Sequence, residues 1–565
     1  MRNILAGALA LLTASVALAG GAFAADAPNA AALRDEAFQA AQRAMASTAA
    51  AALSQLGARF SSGDGDLARM VRARQDLEQH AARLDRQIML APATPDDGQA
   101  PRVAGLREEG ETVRRKIEAA DADLRSRFPD YAELAKPQPI SIAGVQGFLR
   151  DDEALVLIYA ARRETFVWAV TRESADWTRV SRNREAMNAQ VKILRGGLNP
   201  RAYALLRSGL RNFDAAQVEG ADETGRAAFN RAVAHQLYEE LLRPFDPLIA
   251  SKGRLFTVVN APFDSLPFSV LTTRAPEGSD LNPDSLRATP WLIRRQSLVS
   301  LPSAASLKAL RAARNPRVAS APFRGYGAPT LGGPTEPLPD TLSVARSGAV
   351  ASLYRGGAVD RAAIAQLAPL PQTEGELKAL AAALGAGPDA VRLGDAATVT
   401  AVRNDDLAKF RVIAFATHGL LAGELSGLQE PALVFTPPKT PTPDDDGLLT
   451  ASQAAKLDLA ADWVVLSACN TAAGDGAPGA EGFSGLARAF FYAGAKSLLV
   501  SHWPVRDDVA ARLTTHMFAS LRADDKLAKA EAHRRSVLEL LDDARDPSLA
   551  HPAVWAPFVV VGEGR

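Results

Sequence analysis

The amino-acid sequence predicts an α/β fold, in which a mostly parallel sheet is flanked by helices and preceded by an all-α region. From Pro371 onward, short continuous apolar runs alternate with helix-length amphipathic stretches. Parallel strands that are buried on both faces have this pattern. Residues 31–128, in contrast, are rich in Ala, Arg, Glu and Leu and lack the alternation of strands, which predicts helices.

The composition narrows the class of protein. A chain of 565 residues is long enough for three or four domains, and 47% hydrophobic with 23% charged residues is ordinary for a globular protein. Because 64 Lys and Arg residues balance 64 Asp and Glu residues, no bulk positive field favours nucleic acid as a partner. The single cysteine, Cys469, excludes an intrachain disulfide and a four-thiolate metal site, and we predict no cofactor.

The first 24 residues have the features of a bacterial-type signal peptide. After Arg2, an uncharged run extends over residues 4–18, and residues 22–24 (Ala-Phe-Ala) form a small-x-small cleavage site. We therefore expect an exported protein, periplasmic or secreted, with no membrane association after cleavage. An uncleaved anchor is the alternative, although the run is rich in Ala and Gly and only weakly apolar.

Residues 25–135 are predicted to form a helical region with coiled-coil character. One longer helix is expected at about residues 31–60. Two later stretches, which begin at Leu67 and Val103, repeat apolar residues at spacings of three and four, and a Pro/Asp/Gly-rich turn separates them. This pattern predicts an antiparallel helical hairpin.

Residues 136–565 are predicted to form an α/β domain. The stretches 154–160 and 165–171 predict a β-hairpin, because both are apolar and rich in β-branched and aromatic residues. Helices are expected over about 183–250, and the Pro- and Gly-rich stretch 316–339 is interpreted as a long loop or a boundary. Further buried strands are predicted at 255–259, 412–416, 432–435, 463–467, 497–501 and 558–561.

Two of these strands lead into residues that can carry chemistry. His418 follows the strand at 412–416, and Cys469 follows the strand at 463–467. If the two strands are parallel neighbours, about 4.8 Å apart, the imidazole and the thiol meet at the carboxyl edge of the sheet. A nearby histidine favours the nucleophilic thiolate, and the backbone N–H of Gly419 is a candidate oxyanion donor. A buried structural cysteine and an unrelated histidine are the alternative.

The sequence around these residues resembles the CHAT family, a caspase-like peptidase domain related to caspases and separase. The two central blocks are Phe-Ala-Thr-His418-Gly419 and, 51 positions later, Leu-Ser-Ala-Cys469-Asn-Thr. The resemblance covers roughly residues 128–562, with further blocks at 128–149, 154–171, 260–268, 446–450, 481–490, 493–495, 501–507 and 551–558.

The resemblance implies a caspase-like sheet and a cysteine-type endopeptidase. Cys469 would attack the scissile carbonyl of a protein substrate, and His418 would assist proton transfer to the leaving amine. The backbone N–H groups of Gly419 and Cys469 would hold the oxyanion. After the predicted signal peptide (1–24) and helical region (25–135), the resemblance makes residues 136–565 a CHAT-type peptidase domain. It is composed of an N-terminal α/β part at 136–315, a Pro/Gly-rich connection at 316–370 and a dyad-bearing part at 371–565.

The resemblance also implies a binding residue for the substrate. In separase-like relatives, an acidic residue in a Trp-x-Val-x-Asp block accepts a basic P1 side chain, and Asp507 matches that position. His502 and Pro504 depart from the usual block, so the shape of the pocket is not implied. Asp507 is equally suited to cap the helix expected at 509–521.

Two other functions are compatible with the same fold. In one, the chain is a catalytically silent scaffold that binds a protein partner through its helical region. In the other, an amine intercepts the acyl-thioester, so that the chain catalyses transamidation or ligation. A regulatory protein partner on the helical region is expected in either the active or the silent case.

Two further patterns are set aside. Residues 474–479 match G-x-G-x-x-G, but Pro478 interrupts the pattern and no helix opens directly on it, so we interpret it as a flexible turn. The acidic run at 444–446 is interpreted as a solvated turn rather than a calcium site. No spacing among the seven histidines matches a zinc motif, and we predict no metal.

Overall fold

The structure, a computed structural model, describes most of the chain. The predicted signal peptide and Cys469 lie outside the described residues. The described residues are 27–45, 70, 73–74, 76–77, 80–81, 84, 100–127, 139–198, 228–312, 319–332, 364, 367, 369–370, 372–420, 431–440, 442, 445–467, 485–503 and 505–565.

Helices and strands alternate along most of this part of the chain. The helices are α1 (Ala27–Ala44), α2 (Ala100–Arg127), α3 (Ile142–Gln146), α4 (Arg184–Leu198), α5 (Arg231–Leu241), α6 (Asp246–Ile249), α7 (Pro283–Ala288), α8 (Leu292–Arg295), α9 (Ala304–Ala312), α10 (Gln372–Ala383), α11 (Val399–Asn404), α12 (Ala451–Ala454), α13 (Gly485–Ala493), α14 (Asp507–Ala523), α15 (Lys529–Asp542) and α16 (Pro552–Trp555). The strands are β1 (Glu153–Ala160), β2 (Thr165–Thr171), β3 (Ala175–Val180), β4 (Arg254–Val259), β5 (Ser297–Ser300), β6 (Ala321–Pro329), β7 (Val391–Gly394), β8 (Phe410–Ala416), β9 (Gly419–Leu420), β10 (Ala432–Val434), β11 (Leu448–Thr450), β12 (Trp463–Leu466), β13 (Ser497–Ser501) and β14 (Phe558–Gly562).

Eleven of the described strands form one sheet, in the order β3-β2-β1-β4-β5-β14-β13-β12-β8-β6-β7. Strands β1, β4 and β5 run parallel to one another, and so do β13, β12, β8, β6 and β7. Strand β14 lies between these two sets and is antiparallel to β13. The sheet is therefore mostly parallel, and the predicted fold class is confirmed.

Side chains of the central strands alternate between two hydrophobic layers. In β8, Val412 and Ala414 pack into one layer with residues of α10 and α14. Ile413 and Phe415 pack into the other layer with residues of α13. A strand that is covered on both faces needs apolar residues at every position, which explains why these strands were visible in the sequence as continuous apolar runs.

The hairpin predicted at 154–171 is confirmed by the antiparallel pairing of β1 with β2, in which Ala160 lies opposite Thr165. The first carboxylate of β1, Glu153, is completely buried. It forms ion pairs of 2.7 Å with both Arg254 and Arg311. These contacts join the starts of β1 and β4 to helix α9.

The stretch at 316–339, interpreted as a loop or a boundary, contains strand β6. This strand pairs in parallel with both β8 and β7. Its glycines have a packing function: a Cβ atom on Gly325 or Gly327 would lie 3.0 Å or less from the side chain of Leu377. The interpretation of residues 321–329 as a loop or boundary is therefore wrong. Glycine is typical of loops, but here it allows α10 to approach the sheet closely.

The N-terminal helices make two kinds of contact. Helix α1 packs on the sheet, where the ring centroids of Phe38 and Trp168 are 6.0 Å apart. Helix α2 lies beside the described helical positions between residues 70 and 84, since Arg74 pairs with Asp121 and His80 with Glu109. Because later residues of one segment contact earlier residues of the other, the two segments are antiparallel. Their coiled-coil character stays a prediction.

Among the described helices, none is both long enough and apolar enough to cross a bilayer.

Candidate active site

The strands that precede His418 and Cys469 are parallel neighbours, which is the condition for the two side chains to meet at one edge of the sheet. The register pairs Trp463 with Val412 and Leu466 with Phe415, an offset of 51 positions. The backbone N–H of Ser467 donates to the carbonyl oxygen of Phe415 at 3.0 Å, which continues the pairing past the end of β12. His418 lies two residues after the end of β8. Cys469 lies two residues after Ser467, the last described residue of its segment.

The backbone around His418 is held by a second, small sheet of strands β11-β10-β9. The carbonyl oxygen of His418 accepts a hydrogen bond of 2.9 Å from the N–H of Val434. The buried hydroxyl of Thr417 donates to the carbonyl oxygen of Val434. His418 is half-buried, and the hydrogen bonds of its own carbonyl and of Thr417 hold its backbone against β10.

The ladder between β9 and β10 sets the direction of the Gly419 amide. Gly419 lies opposite Leu433, and the hydrogen bond of the preceding pair joins His418 and Val434. In an antiparallel ladder, the residue next to such a hydrogen-bonded pair directs its N–H away from the partner strand. The N–H of Gly419 therefore points away from β10, on the outer side of an edge strand.

The next strand, β13, is followed by His502 and Trp503 at the same edge. His502 is only 3% exposed, and burial, together with the nearby charge of Arg195, lowers its pKa to about 3. It is therefore neutral near pH 7 and a weak base. Among the histidines at this edge in the described part of the chain, His418 is the better candidate for proton transfer.

Helix α4 packs over Trp503 in a way that the sequence did not indicate. The Arg195 guanidinium carbon lies 5.7 Å from the centroid of the Trp503 ring, and Arg195 donates to the carbonyl oxygen of Ser265 at 2.8 Å. Trp503 Nε1 donates to the carbonyl oxygen of Ala553 at 2.8 Å. These contacts hold the segment that leads into α14, but only tertiary packing brings them together.

A half-buried carboxyl, Asp264, lies in the same neighbourhood. Burial raises its pKa to about 6, and this rise is opposed by backbone hydrogen bonds and by the charge of Arg195. The sequence pattern at 260–268 was recognised as a family block, but no role for Asp264 followed from it.

Asp507 is the first residue of α14, and Arg506 occupies the N-cap position without a side-chain capping bond. The expectation that Asp507 itself caps this helix is therefore wrong, because the helix begins two residues earlier than its apolar pattern indicated. The guanidinium of Arg506 instead pairs with Asp508 at 2.7 Å and Asp546 at 3.3 Å. The role of the Asp507 side chain as a P1 acceptor stays a prediction.

The acidic run at 444–446 is not simply a solvated turn. Asp445 is 5% exposed, and its Oδ2 accepts hydrogen bonds from the N–H and the hydroxyl of Thr400, at 3.0 and 2.6 Å. Its other oxygen accepts from the N–H of Gly447 at 3.2 Å. The carboxylate thus joins α11 to the turn before β11, which the local sequence did not show.

In the described ranges, no group of three or more His, Cys, Asp or Glu residues is arranged to hold a metal ion. Residues 474–479, set aside above as a flexible turn, lie outside these ranges together with Cys469.

Comparison with curated proteins finds local similarity to much longer chains. Tetratricopeptide repeat protein 28 from Mus musculus is 29% identical over 224 residues, which cover 34% of this chain and 9% of that protein. The Homo sapiens protein of the same name is 32% identical over 115 residues, which cover 20% of this chain and 4% of that protein. The chain thus spans less than a tenth of the length of these relatives.

Solved structures with a similar arrangement are remote in sequence. The Saccharomyces cerevisiae separase–securin complex is 10% identical, with a TM-score of 0.35, and the match covers 84% of this chain and 34% of the other. The Arg-specific cysteine proteinase gingipain R is 9% identical, with a TM-score of 0.30, over 60% of this chain and 70% of the other.

The family model provides the decisive comparison. The model of the CHAT domain matches residues 231–563, which is more than half of the chain and includes strands β4 to β14. The match therefore contains both strands that precede His418 and Cys469. On this evidence, the chain belongs to the CHAT domain family.

Proposed function

We propose that the chain is an exported cysteine endopeptidase of the caspase/separase type, with His418 and Cys469 as its catalytic dyad. The observation that carries the proposal is the register between β8 and β12, whose offset of 51 equals the separation of the two residues. Continued two residues beyond Ser467, the register matches Cys469 with His418. At an interstrand distance of about 4.8 Å, a thiol and an imidazole in matched positions can share a proton.

The chemistry follows from that proximity. The Cys469 thiolate attacks the scissile carbonyl carbon and forms a C–S bond, and the electron pair of the carbonyl moves to the oxygen. When the tetrahedral intermediate collapses, the C–N bond breaks and His418 gives its proton to the leaving amine. Water then attacks the thioester with His418 as base, which releases the acid product and regenerates the thiol.

The charge on the carbonyl oxygen needs donors that are in place before the reaction. The N–H of Gly419 is suited to this role, because the ladder with β10 directs it away from the small sheet. The absence of a side chain at this position lets a substrate carbonyl approach closely. The N–H of Cys469 is the second donor in our proposal.

We further propose that Asp507 accepts a basic P1 side chain. Its place at the start of α14, four residues after Trp503, puts it next to the edge at which β8, β12 and β13 end. The Asp507→Asn variant should lose labelling by a probe with P1 Arg while it keeps labelling by a probe with P1 norleucine. Equal loss with both probes would contradict a role in P1 selection.

Intact mass spectrometry after treatment with a peptidyl-Arg acyloxymethyl ketone tests the dyad. The reduced wild-type chain should gain the mass of one peptidyl ketone, and Cys469→Ala should gain none. His418→Ala should react far more slowly. His516→Ala is the matched control, because His516 lies on α14, where its ring pairs with Glu539 at 2.8 Å. A folded, reduced wild-type chain that takes up no label would overturn the proposal.

A partner-binding scaffold is the second candidate function. The feature that favours it is helix α2, 28 residues long, which lies outside the family match and beside the helical positions between 70 and 84. In this case, Cys469→Ala should support every cellular function of the wild-type chain. A phenotype that is lost with Cys469→Ala but retained with deletion of residues 67–127 would contradict the scaffold.

The export of the chain is also a proposal. Expression of the full chain in a bacterium, followed by fractionation and N-terminal sequencing, should give a periplasmic or secreted protein that begins at Ala25. Because an exported low-pKa thiol without a second cysteine has no internal resolving thiol, we expect activity to require an external reductant. Recovery of the unprocessed chain in the cytoplasm would contradict export.

A further inference from the structure

A large, positively charged cleft lies at the edge of the sheet opposite the candidate active site. Its volume is about 820 Å³, within the range of about 300–1,000 Å³ that small-molecule sites occupy. Val412 and Trp463, near the starts of β8 and β12, form part of its wall. Since His418 and Cys469 follow the other ends of these strands, about 20 Å away at about 3.3 Å per residue, the two sites are distinct.

The cleft carries an excess of positive charge. Seven Arg and Lys side chains line it, against three carboxylates. Two of the carboxylates are already used: Asp462 pairs with Lys496 at 2.9 Å, and Glu563 lies 3.6 Å from Arg311. The third carboxylate, Asp525, is exposed at the rim.

Four of the cations have no carboxylate within ion-pair distance among the described residues, namely Arg150, Arg522, Lys529 and Arg565. Among these four, Lys529 has the contacts that say most about the cleft. Its ammonium group donates to the hydroxyl of Ser497 at 3.2 Å and lies 5.6 Å from the centroid of the Trp463 ring. It is thus oriented by a hydroxyl and an aromatic ring and forms no direct ion pair with a described carboxylate.

Burial and neighbouring charges both act on the pKa values of these cations. Burial lowers the pKa of Arg150, and the charges of Arg311 and Arg565 lower it further. Burial likewise lowers the pKa of Lys529. The charges of Glu563 and Asp462 oppose this shift, and those of Lys496 and Arg411 add to it. Bringing several cations together without matching anions costs free energy, and a bound polyanion would offset that cost.

We propose that this cleft binds a small anion that carries two or more phosphate groups. Phosphate matches the lining because guanidinium groups bind its oxygens in pairs and an ammonium group binds it as a point charge. Several phosphates are needed to engage cations that come from different elements, such as Arg150 before β1, Arg522 in α14 and Lys529 in α15. The apolar wall formed by Phe518, Leu521 and Leu527 leaves room for an organic group beside the phosphates.

Isothermal titration calorimetry on the full chain at low ionic strength tests the site. The probes are inorganic tripolyphosphate, ATP and adenosine. Tripolyphosphate and ATP should both bind and adenosine should not. Tighter binding of ATP would assign the apolar wall to an organic group, whereas equal affinities would limit recognition to the phosphates. Failure of tripolyphosphate to bind, or equal binding of adenosine and ATP, would overturn the proposal.

Two lysine variants distinguish a specific binding site from non-specific electrostatic attraction. Lys529→Met keeps the length of the side chain and removes the charge, and it should weaken tripolyphosphate binding about tenfold or more. The matched control is Lys192→Met, since Lys192 is an exposed lysine on α4, remote from the cleft, and its loss should leave the affinity unchanged. Equal loss in both variants would overturn the proposal.

A folding control accompanies the affinity measurement. Because Lys529 has no carboxylate partner among the described residues, Lys529→Met should unfold at the same temperature as the wild-type chain or higher when no ligand is present. If this variant fails to fold, Arg150→Gln replaces it with the same expected loss of affinity. Unchanged affinity in folded Arg150→Gln and Lys529→Met would overturn the assignment of the cleft.

Discussion

The sheet consists of two halves that use the ends of their strands differently. We call β3-β2-β1-β4-β5-β14 the N-terminal half-sheet and β13-β12-β8-β6-β7 the C-terminal half-sheet. In the first, β4 leads into Asn260, whose side-chain oxygen accepts from the N–H of Ala160 at 2.8 Å and whose NH₂ donates to the Ala160 carbonyl at 3.1 Å. In the second, β8 leads into His418.

A polar residue after a buried strand therefore does not by itself indicate catalysis. Both groups of the Asn260 amide are engaged by one backbone residue of the neighbouring strand, so its function is to join β1 to β4. His418 is distinguished by the strand beside it, because the register of β12 leads to a thiol. The difference between these two strand ends thus lies in the residue that follows the adjacent strand.

The largest expected effect distinguishes these two strand ends. Replacement His418→Ala should slow covalent labelling of Cys469 by about 10²- to 10⁴-fold, the usual contribution of a general acid or base. Asn260→Ala should leave the labelling rate of the folded protein unchanged, although it removes two backbone hydrogen bonds. Labelling kinetics followed by intact mass measure both. Equal labelling rates for the two variants would contradict a functional difference between the two strand ends.

A stability effect of comparable size is expected at the start of the N-terminal half-sheet. Glu153→Gln leaves Arg254 and Arg311 without their buried carboxylate, which should lower the free energy of unfolding by about 3–5 kcal/mol. Glu374→Gln is the matched control, since Glu374 is exposed and pairs with Lys378 on the surface of α10, where about 0.5 kcal/mol or less is expected. Denaturant unfolding measures both. Similar values would contradict the role of the buried cluster.

The same carboxylate makes stability depend on pH. Burial alone would raise the pKa of Glu153, but the hydrogen bond and charge of Arg311, the N–H of Arg150 and the charge of Arg254 hold it below its usual value of 4.5. A lowered pKa in the folded state stabilises the fold above the unfolded-state pKa. This stabilisation should disappear as the pH falls below about 4.5. Glu153→Gln should lack that part of the acid transition.

In the C-terminal half-sheet, a glycine is expected to matter through backbone geometry. Gly494 has a φ of +121°, and a Cβ atom there would lie 2.2 Å from the carbonyl oxygen of Leu459. Gly494→Ala should therefore cost about 1–3 kcal/mol or more. Gly375→Ala, in α10 with open space around the glycine, should instead stabilise by about 0.5–1 kcal/mol. If both variants unfold at the same denaturant concentration, the strain assigned to Gly494 is absent.

The smallest predicted effect concerns Asp264, beyond the end of β4. Its folded-state pKa of about 6 lies above the usual value of 3.8, mainly because of burial. The folded protein binds this proton more tightly than the unfolded chain, so stability should fall as the pH rises from about 4 to 6. Asp264→Asn should remove that slope and stabilise the protein at pH 7 by about 1–2 kcal/mol. Lower stability of Asp264→Asn at pH 7 would reverse the assigned sign.

The strands with continuous apolar sequence were predicted almost residue by residue. Strands β2 and β13 have the expected bounds, and β8 and β12 differ by one or two residues. Six strands were missed: β3 is half-exposed, β6 contains two glycines, and β5, β7, β9 and β11 have only two to four residues. Hydrophobic patterning therefore identified the strands covered on both faces and failed at short, exposed or glycine-containing ones.

The separation of His418 and Cys469, and their places after two apolar runs, are properties of the primary sequence. Local patterning can establish such features because burial on both faces requires apolar residues at successive positions. The order of the strands, the reversal between β13 and β14, and the cluster of Arg150, Lys529 and Arg311 depend on contacts between residues far apart in the chain. Only the packed tertiary structure decided these, because the free energy of such contacts depends on which distant surfaces are buried together.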